Sequence, residues 1–143
     1  MSKVLKEALK FKSRYPLTIA FRIKSHAKVL DKHLDDDEEL KYVFVGQKND
    51  TNFQIPNTFL IALTSKRMLF ARKRMLYGYF FYAVTPDMLN DVKIRANLIW
   101  GKVVIDTVKE LVTISNLCKK SLDEVETAIT KYMVDKRKVK KTL

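Results

Sequence analysis

The chain has 143 residues and a formal net charge of +12, from 28 Lys and Arg against 16 Asp and Glu. That length suits one domain with one core, and the excess charge points to an anionic partner, whether acidic lipid, nucleic acid or an acidic protein face. No run approaches the roughly 20 apolar residues of a membrane span, the first residues lack a signal peptide's apolar block, and the lone Cys118 excludes an internal disulfide or a cysteine-based metal framework, so the expected compartment is the cytoplasm.

Val4, Leu5, Ala8, Leu9 and Phe11 recur at helical spacing up to Pro16, which suits the first turn of a second helix. On that helix Ala20, Ile23, Ala27, Leu30 and Leu34 form an apolar seam, too short for a coiled coil, that packs on the domain or on a second copy of the chain. His26 and His33 stand seven residues apart, too far to share a metal ion, and are expected as exposed or capping histidines. The acidic run Asp35 to Glu39 lacks the glycine and alternating ligands of a calcium loop; it is expected to pair with a basic patch or to repel other chains from a strand edge.

From Leu40 the pattern changes. Leu40–Val45, Thr58–Leu63, Arg67–Ala71 and Tyr79–Val84 are short runs rich in β-branched and aromatic residues, and Val92, Ile94, Ala96 and Leu98 alternate with polar residues. Gly101 reads as a turn, followed by strands at Val103–Thr107 and Leu111–Ser115. Seven short strands predict an antiparallel barrel or sandwich. Ser121 and Glu124 read as a capping box opening a final helix, whose stripe Leu122, Val125, Ala128, Ile129, Tyr132 and Met133 must be buried, at the open end of the barrel. The expected organisation is a helical segment at 1–37, a domain at 38–134 and a basic tail at 135–143.

The order of seven strands and one terminal helix resembles the small bacterial pleckstrin-homology-like domains. The phrases that carry it are "FLIALTSKRMLFARK" as strands two and three, "TPDMLNDVKI" leading into strand five, and the glycine of "LIWGKVVIDT", with Thr64 ending one strand and Arg67 opening the next. The resemblance covers roughly Glu38 to Met133 and implies an α+β fold, mainly antiparallel β: a seven-stranded barrel or sandwich capped by a C-terminal helix and preceded here by N-terminal helices. In the lipid-binding eukaryotic relatives the first strand and its following loop grip inositol phosphates. Here the loop Gln47 to Pro56 carries only Lys48, beside Asp50, too few cations for a polyphosphate.

The candidate ligand-binding residues are therefore Lys66, Arg67, Arg72, Lys73 and Arg74, for an anionic headgroup or an acidic partner. Met75, Leu76 and Tyr77 interleave apolar surface with the last three, as at a membrane interface; the alternative is a hairpin whose rings pack on the barrel and whose cations are only solvated. No Gly-rich phosphate loop, HExxH or GxSxG motif appears, so no enzyme, catalytic residue, cofactor, metal or small-molecule substrate is expected. The expected function is a PH-like interaction module. A protein partner or self-association through the seam comes first, an anionic membrane surface at the inner face of the membrane second, and nucleic acid, which has charge but no motif to support it, last.

Overall fold

The computed structural model describes residues 2–48 and 57–142, with side chains as far as Asp135. Most of the loop from Gln47 to Pro56, and the side chains of the basic tail from Lys136, lie outside the described residues.

Ser2 opens the first helix, α1 (Lys3–Arg14), its hydroxyl accepting the Leu5 amide at 3.0 Å. The second helix, α2, spans only Ile23–His33. Pro16 does not begin it. Residues 17–21 instead hydrogen-bond to distant strands through backbone and side chain: Ile19 N–H donates to the Asn116 carbonyl (2.8 Å), Phe21 N–H donates to Thr58 Oγ1 (3.1 Å), and Thr18 Oγ1 accepts the Cys118 amide (2.9 Å). Trp100 Nε1–H closes this strap by donating to the Leu17 carbonyl at 2.7 Å. Helix propensity is worth only tenths of a kcal/mol per residue, so tertiary hydrogen bonds decide the conformation here.

The strands are β1 (Leu40–Lys48), β2 (Thr58–Thr64), β3 (Met68–Lys73), β4 (Tyr79–Val84), β5 (Leu89–Ala96), β6 (Trp100–Thr107) and β7 (Leu111–Cys118). They form one antiparallel sheet in the order β4-β3-β2-β1-β7-β6-β5. The expected seven-stranded architecture is present as a rolled sheet that stays open, with β4 and β5 as its edges. Its two halves meet where Gln47 and Lys48 of β1 pair with Ser115 and Ile114 of β7.

Burial along each strand records what covers it. β6 alternates buried and half-buried residues, as a strand with one covered face must. β2 is buried at all seven positions, which requires cover on both faces. The N-terminal helices supply part of it: α2 packs on β2 and β3, α1 packs on β1 and on α2, and Phe11 of α1 meets the rings of Tyr15, Tyr42 and Phe44.

The last helix, α3 (Leu122–Thr142), buries its predicted stripe against β5 and β6. Its expected capping box does not form. The Ser121 hydroxyl donates to the Cys118 carbonyl at 2.7 Å, and Glu124 instead accepts Tyr42 Oη–H (2.6 Å), Tyr15 Oη–H (3.1 Å) and Arg14 Nη2–H (2.9 Å). Three donors to one carboxylate outweigh a single backbone amide. Gly101 is no turn either: it lies inside β6, opposite Ala96 and Leu117, and the turn falls at Asn97, whose Oδ1 accepts the Trp100 amide (3.0 Å). A Cβ on Gly101 would stand 2.4 Å from Leu122 Cδ1 and 2.7 Å from the Arg95 carbonyl, so the glycine is there for close approach of α3.

Candidate binding surface at the β3–β4 hairpin

The five cations singled out in the sequence separate into two groups. Lys66 and Arg67 occupy the turn between β2 and β3, where they meet the acidic run. Lys66 Nζ pairs with Asp37 at 2.7 Å and Asp35 at 3.3 Å. Arg67 grips Glu38 with two hydrogen bonds of 3.0 Å and donates to the His33 carbonyl at 2.7 Å. Burial opposes the charge of Glu38, but hydrogen bonds from Arg67 and Thr64 prevail and draw its carboxyl down to about 2. Lys66 and Arg67 are thereby engaged by carboxylates of their own chain. This pairing gives the acidic run its role as counter-charge to a basic turn.

Arg72, Lys73 and Arg74 lead into the tip Met75–Tyr77. Gly78 closes the hairpin at φ +81°, a left-handed conformation suited to glycine, and its carbonyl accepts the Arg74 amide at 3.1 Å. The guanidinium of Arg72 lies 5.4 Å from the Phe59 ring and 4.6 Å from the Phe80 ring, and that of Arg74 lies 5.3 Å from Phe80. Lys48 extends the series over Tyr82 at 5.2 Å. Stacking on rings fixes where these cations point while leaving their charge intact. The tip itself is open to solvent: Leu76 is 88%, Tyr77 77% and Met75 55% exposed.

Arg22, which caps the start of α2, and His26 within it hold this hairpin in place. Arg22, itself in the left-handed region at φ 57°, donates to the carbonyls of Lys73 (3.0 Å) and Arg74 (3.2 Å). One helical turn later, buried His26 accepts the Lys73 amide on Nδ1 at 2.8 Å, which places its proton on Nε2. Burial, followed by the charges of Arg22 and Arg72, lowers the His26 imidazole to about 4, so it is neutral at pH 7. The expectation of an exposed or capping histidine fails for His26. His33 is half-buried and stacks on Phe81 with centroids 3.9 Å apart. The sequence singles out His26 but not Arg22 and assigns neither to the hairpin; their spacing of four residues across the start of α2 is a signal that could have linked them.

The seam divides as well. Ala27 and Leu30 are 1% and 0% exposed within the core, Ile23 and Leu34 are half-buried against it, and Ala20 lies outside α2 altogether. Of the two expected destinations the seam takes the first, its own domain, and Ala27 and Leu30 offer no surface to a second copy.

A family model described as "Bacterial PH domain" matches residues 34–131. The chain belongs to the bacterial PH domain family. A crystal structure of a pleckstrin homology domain from Shewanella amazonensis SB2B shares this fold, with a TM-score of 0.51 at 16% identity over 76% of this chain and 95% of that one. No curated protein matches. In this bacterial PH domain α1 and all of α2 precede the matched region, so Arg22 and His26 reach the β3–β4 hairpin from outside it.

Proposed function

We propose that this bacterial PH domain acts by binding, without catalysis, and that it docks on anionic lipid surfaces through the β3–β4 hairpin. The observation that carries this reading is the exposed apolar tip Met75, Leu76 and Tyr77 beside Arg72, Lys73 and Arg74, with the backbone of Lys73 and Arg74 at its base held by Arg22 and His26. A hairpin anchored at its base enters the headgroup region with less loss of chain entropy than a free loop. Burying one leucine there is worth about 2 kcal/mol, and each cation near an anionic leaflet about 1 kcal/mol. Such binding is peripheral; no helix among the described residues is long and apolar enough to cross a membrane. Self-association through the seam has no support now that its central residues are core.

Co-sedimentation with phosphatidylglycerol and phosphatidylcholine vesicles tests the reading. Binding is expected only to the former, falling as salt rises and dropping about tenfold or more in a Leu76→Ala/Tyr77→Ala variant. Equal binding to both vesicle types, or a double variant that sediments like the parent, would refute it.

A further inference from the structure

The two edges of the sheet are built differently. β5 carries Asp91, Lys93 and Arg95, shifts register between Leu89 and Asp91, and has its Val92 amide capped by the Asp91 carboxylate at 2.8 Å. Charges, an irregularity and a capped amide all discourage a further strand. β4, with the sequence Tyr-Phe-Phe-Tyr-Ala-Val, has no charge, no proline and no bulge.

The hairpin fixes which backbone groups of β4 face outward. Arg74 N–H donates to the Gly78 carbonyl, and the register runs without a break from Lys73–Tyr79 to Met68–Val84. Hydrogen-bonded pairs alternate along an antiparallel ladder, so Phe80, Tyr82 and Val84 bond to β3, whereas the amides and carbonyls of Tyr79, Phe81 and Ala83 point away from the sheet. Among the described residues these outward groups make no hydrogen bond.

Charge selects what could pair with them. No acidic residue occurs from Asn57 to Pro86, and the guanidinium groups of Arg72 and Arg74 both lie over Phe80, at the edge itself. A second copy would bring the same cations and a net charge of +12 to the junction. We propose that β4 receives an extended acidic segment of a partner protein as an additional antiparallel strand, with a carboxylate opposite Phe80 meeting Arg72 and Arg74. That position is a non-hydrogen-bonded pair, where facing side chains approach most closely. The site uses the strand edge rather than the hairpin tip, so it does not rest on the lipid reading.

The probe is an acetylated, amidated octapeptide of alternating valine and glutamate, compared with its valine–lysine counterpart and titrated into the isotope-labelled full chain. The glutamate peptide is expected to shift the amides of Tyr79, Phe81 and Ala83, protect them from hydrogen exchange and bind roughly tenfold more tightly than the lysine peptide. Ala83→Pro, which deletes one outward amide and leaves the β3 bonds intact, should abolish this without altering vesicle sedimentation; Leu76→Ala/Tyr77→Ala should do the reverse. Phe80→Glu is the second variant and should shift preference towards the lysine peptide. Absence of protection at the three amides, equal affinity for both peptides, or retention of glutamate-peptide binding by both edge variants would overturn the proposal. So would protection that grows with protein concentration alone, which would identify a second copy as the occupant.

Discussion

Acid should loosen the hairpin before it disturbs the rest of the fold, and His26 is the reason. Its neutral ring accepts the Lys73 amide on Nδ1; protonation converts that acceptor into a donor and places a buried charge beside Arg22 and Arg72. The folded-state value of about 4 lies below the unfolded 6.5, so between these limits the unfolded chain binds more protons and stability falls as the pH is lowered. The contribution is complete above pH 6.5 and is lost as the solution is taken down through pH 4. At about 1.4 kcal/mol per unit, the loss between pH 7 and pH 4 is about 3 kcal/mol. The carboxylates, Glu38 among them, add their own acid sensitivity, so the quantity to measure is the difference from His26→Asn, whose Oδ1 can accept the same amide without titrating. Urea unfolding at pH 7, 5.5 and 4 should show the parent losing about 3 kcal/mol more than the variant, most of it below pH 6. Curves that stay parallel within about 0.5 kcal/mol would refute the buried neutral imidazole.

Two further outcomes are expected. Arg67→Ala leaves the fully buried Glu38 carboxylate without its bidentate partner and should destabilise the domain by about 3 kcal/mol in chemical unfolding, with Glu38→Gln in the same chain recovering part of the loss; a double variant no more stable than the single one would show that the pair is not coupled. Gly101→Ala should cost about 2 kcal/mol, read as a lowered melting temperature, because its Cβ would meet Leu122 and the Arg95 carbonyl at distances no relaxed contact adopts, whereas an unchanged melting temperature would mean α3 can back away freely.

Features of this fold that depend on neighbours along the chain are legible in the sequence, and those that depend on partners far along it are not. The apolar run Thr58–Leu63 announces a strand, and the alternation of Val92 and Ile94 with Lys93 and Arg95 announces one covered face, which β5 shows with the first two half-buried and the last two exposed. Pro16 and Ser121 mislead for a common reason. Each satisfies a local rule, yet the groups that settle the conformation, Asn116 and Cys118 for the strap, Tyr42 and Arg14 for Glu124, lie tens of residues away. The candidate site behaves the same way: all five cations were visible, but which of them face a carboxylate depends on a turn folding over residues about thirty positions earlier.

The placement of Arg22 and His26 bears on what the N-terminal segment is for. A bare β3–β4 hairpin with a Gly-closed tip is a flexible element, and its exposed side chains would carry the full entropic cost of ordering on any surface. Here the carbonyls of Lys73 and Arg74 and the amide of Lys73 are fixed from α2, while the rings of Phe59 and Phe80 fix the guanidinium groups. Main-chain contacts are indifferent to the identity of the side chains at 73 and 74, so the base of the hairpin can vary in chemistry without losing these anchors. The helix that covers β2 and β3 thus also pre-organises the surface at their end, and one segment provides both the second layer of the core and the rigidity of the site.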